Sequence, residues 1–408
     1  MTDPGGPRRL AVAGLLVLVA GVACFRAGQI APAATRWSSD LPLLRIYGDT
    51  GTTDTIAAGA LHRSFLVRQG PWAVHVLDID RAACWSPVAA KGASGAVGRM
   101  TTSALTASLA SDSTIVAGGV NADFFLFDPP GVPTGAHVRS GNVITGPGAR
   151  PVFALDQNGR PWIGTLSVSG GAVSGADSIP IDAWNRLAVN GLAWFDSRYG
   201  PSVDTLRGSL RVVLSDRRGT VQSIDSSRVP MPIPASGGVL VLGPRAPNAV
   251  RELLLGAALL RNQFTVSTRL GPIQPREAVG GFPILVRDSL EVPGLDSAGA
   301  ANFAPVRHPR TIVGVAARGR RLLLITIDGR QPGHSAGTTN RESAAIALAL
   351  GATEAINLDG GGSTAMAVAR SRGDSVAFEV VNRPSDPTGE RAVGNALVIV
   401  RSLSAPRC

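Results

Sequence analysis

Short apolar runs separated by glycine, proline, serine and aspartate recur along the chain, which is the pattern of β-strands joined by turns. A helix is predicted between two of the strands, because Thr339 and Glu342 form a capping box before an apolar run that ends at Gly351. We therefore expect an α+β fold, a mixed β-sheet with packed helices that is interrupted by a β-rich insert. The clearest strand-like runs are residues 73–79, 210–214, 238–242, 321–327 and 396–400.

Polar residues stand where two of these predicted strands end. Asp328 follows the run 321–327, and Asn357 and Asp359 end a second run. If the two strands pair in parallel through the helix, both aspartates lie at the same edge of the sheet. Glycines allow close approach of backbone N–H groups to anionic oxygens, so a ligand site is predicted here, with a tight turn as the alternative. The glycines that follow Asp359 are Gly360, Gly361 and Gly362.

Arginines and hydroxyl side chains flank the two aspartates. Arg310, Arg330 and Arg341 lie near them in the sequence, and Ser363 and Thr364 follow the glycines. Guanidinium groups bind phosphate or carboxylate through paired hydrogen bonds. The cluster therefore predicts a site for an anionic ligand, although any single arginine is more often part of a surface salt bridge.

Short motifs occur in a set order along the chain, at residues 120–125, 309–314, 328–337, 357–364, 381–384 and 390–395. Together they resemble the successive motifs of the phosphodiester glycosidase family, which includes the lysosomal uncovering enzyme and bacterial exopolysaccharide-associated proteins. The middle segment, with residues 181–186 and 194–200, is similar to an extra region of longer bacterial members. The resemblance covers about residues 43–402.

The resemblance implies hydrolysis of a sugar from a sugar-1-phosphodiester. Carboxylates supply the proton transfer and charge stabilisation that such cleavage requires, and Asp123, Asp328 and Asp359 are the catalytic candidates. An arginine clamp made by Arg310 and Arg330, together with the N–H groups of residues 360–362, is expected to bind the phosphate leaving group.

Further polar residues in these motifs are candidates for substrate binding. Asn121, Asn357 and Asn382 offer donor and acceptor groups that suit sugar hydroxyls or an N-acetyl group, and a structural role at a turn or strand edge is the alternative. Arg391, Ser363 and Thr364 complete the set of substrate-binding candidates.

A metal ion is an alternative feature of the same site. Asp123, Asp328 and Asp359 could form an oxygen-rich calcium or magnesium site with backbone carbonyls. Zinc is not expected, because the five histidines are scattered along the sequence. No cofactor is therefore assigned with certainty.

The N-terminal segment predicts an extracytoplasmic protein. Arg8 and Arg9 precede the apolar run 10–25, and small residues follow at 31–34, which is the order of a secretory signal. An uncleaved membrane anchor at 10–25 is the alternative. We divide the chain into this leader and linker (1–40), a first domain part (41–150), the β-rich insert (151–270), a second domain part (271–402) and a tail (403–408).

The amino-acid composition indicates which class of binding partner is expected. The net charge of +10 comes almost wholly from arginine, since Lys91 is the only lysine, but the arginines form no block, so nucleic acid is not expected. A phosphorylated or anionic glycan accounts for the charge, and a GC-rich genome is the alternative explanation of the arginine usage. An exported hydrolase acting on an exopolysaccharide or envelope polymer is therefore expected, with a non-catalytic glycan-binding protein as the alternative.

Two further features of the sequence leave alternatives open. Trp162, Trp184 and Trp194 could stack on sugar rings, although core packing is the more common role of tryptophan. Cys84 and Cys408 could form a disulfide or remain unpaired.

Overall fold

The computed structural model describes residues 51–404, apart from gaps at 68–69, 93–94, 147, 149, 205, 228, 262, 300–304 and 374. In this part of the chain, 49% of the residues lie in strands and 12% in helices. The prediction of an α+β fold is therefore wrong, and the protein is mainly β. The apolar runs pair with one another as antiparallel strands instead of alternating with crossover helices.

Three α-helices lie in the described ranges: α1 (Thr102–Ala107), α2 (Asn248–Arg261) and α3 (Asn340–Ala349). The strands, in chain order, are β1 (Gly51–Ala57), β2 (Ala60–Val67), β3 (Trp72–Asp80), β4 (Ser86–Lys91), β5 (Thr114–Asn121), β6 (His137–Arg139), β7 (Asn142–Thr145), β8 (Val152–Asp156), β9 (Pro161–Gly164), β10 (Ser167–Ser174), β11 (Asp177–Pro180), β12 (Ala183–Trp184), β13 (Leu192–Asp196), β14 (Ser202–Val203), β15 (Leu210–Leu214), β16 (Val221–Asp225), β17 (Met231–Pro232), β18 (Gly238–Leu242), β19 (Thr265–Gly271), β20 (Pro275–Gly280), β21 (Ile284–Arg287), β22 (Leu290–Glu291), β23 (Arg310–Ala316), β24 (Arg321–Ile327), β25 (Ala352–Asn357), β26 (Met366–Arg372), β27 (Ser375–Val380) and β28 (Asn395–Ser402).

The largest sheet has eight strands in the order β1-β2-β3-β24-β23-β25-β21-β22. The parallel crossover predicted from the sequence required β24 and β25 to be neighbours. They are not neighbours, because β23 lies between them and is antiparallel to both. Two strands that are each antiparallel to the same neighbour run in the same direction. The ends of β24 and β25 therefore lie at the same edge of the sheet, together with the start of β23.

A second sheet, in the order β27-β26-β5-β28-β4, packs face to face with the first. Leu324 and Leu77 from the eight-stranded sheet share a core with Val120, Met366 and Leu397 from the second sheet. Helix α3 covers the outer face of the first sheet, and α1 covers the outer face of the second. Because the middle of the first sheet is buried on both faces, residues 322–327 of β24 are all buried, with no alternation of buried and exposed positions.

The two sheets are built from both flanks of the middle segment. In the first sheet β3 pairs with β24, and in the second sheet β5 lies between β26 and β28. A third sheet, in the order β7-β6-β20-β8-β9, also combines strands from both flanks. Residues that precede the segment and residues that follow it are thus brought together in space.

The middle segment, from β10 to β19, is rich in strands, as expected. Its strands form three sheets of their own, in the orders β12-β13-β18-β15-β16, β11-β10-β19 and β14-β17. Trp184, Phe264 and Leu254 of helix α2 are buried in its core. The domain boundaries given above remain predictions.

Several predictions concern residues beyond these ranges. The leader at 10–25 and Cys408 lie outside the described residues, whereas Cys84 takes part in a disulfide. Within the described ranges, none of the helices has the length and apolar character needed to cross a bilayer.

The capping box predicted at the start of α3 is confirmed. The backbone N–H of Glu342 donates to Thr339 Oγ1 at 3.2 Å, and the backbone N–H of Thr339 donates to Glu342 Oε2 at 2.9 Å. Both bonds satisfy N–H groups that no helical carbonyl can reach.

Replacing Thr339 by Ala is expected to lower the free energy of unfolding by about 1 kcal/mol, because the first turn of α3 loses its cap. Urea denaturation followed by circular dichroism measures this change. Thr339→Ser keeps the hydroxyl and should retain nearly full stability. Equal stability of the Ala variant and the wild type would show that the cap does not contribute.

Candidate active site

The residues after β25 are held at the sheet edge by the side chain of Asn121. This amide is fully buried at the end of β5. Its Nδ2 donates to the carbonyl of Asp359 at 2.7 Å, and its Oδ1 accepts from Thr311 Oγ1 at 2.7 Å and from the backbone N–H of Ala365 at 3.1 Å. The backbone N–H of Asp359 in turn donates to the carbonyl of Ala122 at 2.7 Å. Asn121, predicted to bind sugar, thus positions the turn.

Asp123 lies beside Asp359 and is almost fully buried, with 1% of its surface exposed. Its Oδ2 accepts a hydrogen bond from the backbone N–H of Gly135 at 2.7 Å, and its own N–H donates to Asn395 Oδ1 at 2.8 Å. Within the described residues, Oδ1 has no hydrogen-bond partner. A Cβ at Gly280 would lie 2.5 Å from Oδ2, so a glycine is required there.

The two aspartates titrate differently from ordinary carboxylates. Burial raises the pKa of Asp123 to about 7, and the nearby charge of Asp359 raises it further against the opposing effects of Gly135 and Arg150. Burial also raises the pKa of Asp359 to about 6, although hydrogen bonds from Ser363 and Gly360 favour its ionised form. Asp123 therefore releases its proton at a higher pH than Asp359, which is the order expected of an acid and a carboxylate base or nucleophile.

Arg150 is the cation that influences both aspartates. Its charge lowers the pKa of Asp123 and that of Asp359. The guanidinium lies 4.1 Å from the ring centroid of Phe124, the residue after Asp123, in a cation–π contact. Arg150 therefore adds positive charge beside the two carboxyl groups.

Arg330 and Arg391 border the glycine turn. A Cβ at Gly361 would lie 3.2 Å from Arg330 Nη2, and a Cβ at Gly362 would collide with the Arg391 guanidinium. Arg391 is held by its Nε, which donates to Asp386 Oδ2 at 2.7 Å, and its charge lowers the pKa of Asp359. The glycines thus allow two arginines to lie against the backbone next to Asp359.

Asp328 lies at the same sheet edge but in a separate hydrogen-bond network. Its Oδ1 accepts from Asn382 Nδ2 at 3.0 Å, and both oxygens lie 3.0 Å from the backbone N–H of Arg383. Its Oδ2 lies 3.0 Å from Nε2 of the partly exposed His334. Asn382 also accepts from the backbone N–H of Met366 at 2.7 Å. Asp328 and Asn382 therefore brace the chain that follows the glycine turn.

Two other predicted binding residues hold loops in place. The fully buried Arg310 donates from Nε to the carbonyl of Thr338 at 3.0 Å and from Nη2 to that of Val306 at 3.3 Å. Burial lowers the pKa of Arg310 to about 10. Asn357 Nδ2 donates to the carbonyl of Phe282 at 2.8 Å. Neither side chain is presented to solvent as a ligand for substrate.

The backbone of the glycine turn is also partly engaged. The N–H of Gly360 donates to Asp359 Oδ1 at 2.9 Å, and the N–H of Gly361 donates to the carbonyl of Pro309 at 2.9 Å. The side chains of Ser363 and Thr364 are buried, and the Ser363 side chain hydrogen-bonds to Asp359. Two of the three N–H groups expected to bind an anion are thus used within the protein.

The three aspartates do not form the oxygen-rich metal site that their sequence allowed. In the part of the chain that the structure describes, no group of three or more His, Cys, Asp or Glu side chains is arranged to hold a metal ion. Asp328 is bound instead by Asn382, Arg383 and His334.

Sequence reasoning did not identify Arg150, Arg186 or Asn395. Arg186 comes from the middle segment, donates from Nη1 to the carbonyl of Thr134 at 2.6 Å, and lies within electrostatic reach of Asp123. It belongs to the motif 181–186, which was noted in the sequence as part of an extra region but was not predicted to contribute to this site. Arg150 stands alone between β7 and β8, where no local pattern distinguishes it from a surface arginine.

Comparison with known proteins bears on the second half of the site. Residues 217–400 match the model of the family NAGPA, phosphodiester glycosidase. This segment is similar to the phosphodiester glycosidase domain. The resemblance inferred from the motifs is thereby confirmed for the segment, which contains Asp328, Asp359, Arg330 and Arg391, whereas Asp123 lies before it. The phosphodiester glycosidase family implies a hydrolase with a glycan-type substrate.

Solved structures show how far the fold extends around this phosphodiester glycosidase segment. A hypothetical protein from Synechocystis has 22% identity and a TM-score of 0.70 over 86% of this chain, which spans 64% of that protein's length. A "putative exported protein" from Burkholderia pseudomallei has 29% identity and a TM-score of 0.65, covering 81% of this chain and 74% of its own. The fold of these proteins is thus shared by most of the chain.

A weaker match is the zebrafish N-acetylglucosamine-1-phosphodiester α-N-acetylglucosaminidase catalytic domain, auto-inhibited by its pro-peptide. Its identity is 14% and its TM-score 0.42, over 86% of this chain and 81% of its own. Among curated proteins, no sequence matches the chain.

The raised pKa of Asp123 predicts how stability depends on pH. The folded state retains a proton that the unfolded state releases between pH 3.8 and about 7, so the free energy of unfolding should fall as pH rises across this window. The loss is on the order of 4 kcal/mol. Thermal denaturation between pH 4 and 8 measures it.

Asp123→Asn, which resembles the protonated acid, should flatten this dependence and be more stable relative to the wild type at pH 8 than at pH 4. The exposed Asp112, changed to Asn, is the control and should keep the wild-type dependence. An unchanged slope in the Asp123 variant would mean that another group causes it.

Proposed function

We propose that the protein is an exported hydrolase that cleaves a sugar from a sugar-1-phosphodiester in a glycan or cell-envelope polymer. The observation that carries the proposal is the pair Asp123 and Asp359, whose pKa values differ, beside Arg150, Arg330 and Arg391. Carboxyl groups of different pKa serve as acid and base, and arginines bind phosphate. The match of residues 217–400 to the phosphodiester glycosidase family supports the reaction class.

In this proposal, Asp359 is the carboxylate that acts at the anomeric carbon. It is the more exposed member of the pair and the one with the lower pKa. An ionised carboxylate stabilises the positive charge that develops on the sugar as its bond to phosphate breaks. Hydrogen bonds from Ser363 and from the N–H of Gly360 hold its oxygens in place.

Asp123 acts as the proton donor of the pair. Its Oδ1 has no hydrogen-bond partner within the described residues, so this oxygen is free to carry the proton. Protonation also removes a negative charge from the site, which lowers the repulsion of an anionic substrate. Below about pH 7, Asp123 is therefore ready to assist departure of the phosphate.

The leaving phosphate is bound by arginine side chains. Arg330 and Arg391 lie against Gly361 and Gly362, and Arg150 lies near both carboxyl groups. Such preorganised cations stabilise charge that grows on the phosphate during bond cleavage. Asp328 and Asn382 act as positioning residues, because their hydrogen bonds hold the backbone on the far side of the turn.

Export is supported by two observations. The order of basic, apolar and small residues over positions 8–34 is that of a secretory signal. The Burkholderia pseudomallei protein, 29% identical, is described as a "putative exported protein". An envelope or exopolysaccharide phosphodiester is a substrate that an exported enzyme of this class would meet.

Turnover of the methyl phosphodiester of N-acetylglucosamine 1-phosphate and of related sugars tests the proposal. Free sugar should be released, and Asp359→Asn should reduce kcat about 100- to 10,000-fold, because the anomeric carbon loses its carboxylate. Asp112→Asn, at an exposed position, should retain wild-type activity.

Measurable binding of the diesters without sugar release would reject hydrolysis in favour of the non-catalytic glycan-binding alternative. Near-native activity of the Asp359 variant would remove that residue from the catalytic role. Circular dichroism of each variant checks that the fold is retained.

The two pKa values also predict a bell-shaped dependence of kcat/KM on pH. Activity should rise as Asp359 ionises near pH 6 and fall as Asp123 loses its proton near pH 7. Initial rates measured between pH 4.5 and 8.5, at about ten pH values on each limb, define the profile. A profile that stays flat through pH 7 would exclude Asp123 as the acid.

A further inference from the structure

A cavity of about 670 Å³ lies between the third sheet and the middle segment, and the residues of the carboxyl pair do not line it. It is formed by the end of β6 and the start of β7, the end of β13, the turn between β15 and β16, and the start of β19. A volume of this size is typical of sites for small molecules. The lining residues on which the argument depends are Arg139, Trp194, Asp196, Arg198, Asp216 and Arg217.

The carboxylates in the lining are already engaged by the protein. Arg198 Nε lies 3.1 Å from each oxygen of Asp196, and Arg198 Nη1 donates to Asn142 Oδ1 at 3.1 Å. Asp216 Oδ1 accepts from the backbone N–H groups of Arg218 at 2.9 Å and Thr220 at 3.2 Å. Both acids therefore support the wall of the cavity.

The remaining cations are not bound in this way, although the charge of Arg139 opposes the rise in the pKa of the buried Glu277. Within the described ranges, neither Arg139 nor Arg217 forms an ion pair with a carboxylate. Three arginines face two aspartates in the lining, which gives a net charge of 3 − 2 = +1. A cavity with unpaired guanidinium groups suits a ligand that carries phosphate or carboxylate groups.

Trp194 adds an aromatic surface to the same cavity. The residue is partly exposed, unlike the buried Trp184. A Cβ at Gly238 would collide with the Trp194 indole, so the neighbouring strand leaves room for the ring only because glycine stands there. Flat aromatic faces pack against the apolar faces of sugar rings, and Asn142 and Ser236 add polar groups to the lining.

The cavity wall is connected to the candidate active site by a short run of chain. Asn185 donates from Nδ2 to Asp196 Oδ1 at 3.3 Å and accepts from the backbone N–H of Asp196 at 3.0 Å. The next residue, Arg186, donates to the carbonyl of Thr134 and lies within electrostatic reach of Asp123. The adjacent residues Asn185 and Arg186 thus connect the cavity wall with the surroundings of the carboxyl pair.

We propose that this cavity is a second saccharide site, which binds an acidic glycan segment through Trp194 and the unpaired guanidinium groups of Arg139 and Arg217. The acidic groups are uronate carboxylates or sugar phosphates, which share the planar or forked oxygen geometry that arginine binds. The site goes beyond the proposed hydrolysis, because binding there requires neither Asp123 nor Asp359.

Isothermal titration calorimetry on the full chain tests the proposal with three probes: trigalacturonic acid, N-acetylglucosamine 1-phosphate and neutral maltotriose. At least one acidic probe should bind, and maltotriose should bind at least about tenfold more weakly. The two acidic probes distinguish carboxylate from phosphate as the recognised group. Titrations in the Asp359→Asn variant prevent turnover and should give the same affinity.

Arg217→Gln should weaken binding of the acidic probe about tenfold, because one charge-assisted interaction is lost. Arg218→Gln is the matched control, since Arg218 is an exposed arginine in the same turn that does not line the cavity. It should bind as the wild type does. Arg139→Gln gives a second, independent test that does not rely on Trp194, whose removal from β13 would disturb folding.

Three results would overturn the proposal: no binding of either acidic probe, equal effects of Arg217→Gln and Arg218→Gln, or equal affinity for maltotriose. Arg391→Gln separates the two sites. If that change abolishes binding while Arg217→Gln does not, the probe occupies the candidate active site and the second site is rejected. If the protein does not hydrolyse the diesters, the binding results at the second site are unaffected. The two proposals are therefore tested independently.

Discussion

The buried amide of Asn121 is the interaction on which the candidate active site depends. It stands at the end of β5 in one sheet but bonds to Thr311 and to the carbonyl of Asp359, which belong to β23 and to the turn after β25. A side chain without both a donor and an acceptor would leave buried groups unsatisfied, at about 1–3 kcal/mol each. The position of Asp359 is therefore set by the opposite sheet as much as by its own strand.

The same contact accounts for the electrostatics of the site. Asp123 lies two residues after Asn121, so the bond that holds the turn against β5 also brings the two carboxyl groups into one poorly solvated place. Gly135 and Gly280 lie close against Asp123, because a Cβ at either position would contact its carboxylate. Burial then raises the pKa of both acids, and Arg150 and Arg391 limit the rise at Asp359. The contact of Asn121 with the turn thus determines both the position of Asp359 and the protonation of the two carboxyl groups.

The sequence predicted the location of the site better than its architecture. The apolar runs and the polar residues after them placed Asp328 and Asp359 at one sheet edge, which is correct, although the parallel pairing assumed for β24 and β25 is wrong. A hydrophobic run shows that a strand is buried but not which strand pairs with it, and β23 is inserted between them by long-range contacts. The same ambiguity produced the α+β prediction for a mainly β protein.

Side-chain roles were harder to predict than positions, for a physical reason. Arg310 and Arg330 look alike in the sequence, yet Arg310 starts a strand buried under a loop and bonds to its carbonyls, whereas Arg330 is exposed beside Gly361. Arg150 has no motif around it, and its place near both aspartates follows from the chain path between β7 and β8. Burial decides which arginine is accessible to a ligand and which holds a loop, and burial depends on distant residues.

The middle segment has a part in the site that its sequence does not suggest. Arg186 places a positive charge near Asp123, while the adjacent Asn185 is bonded to Asp196 in the wall of the large cavity. A change in the shape of this segment would therefore alter both the surroundings of the carboxyl pair and the cavity. The wall of this cavity combines Arg139 of β6 and Arg217 of the middle segment with the partly exposed Trp194, and these are the groups on which the proposed second site depends.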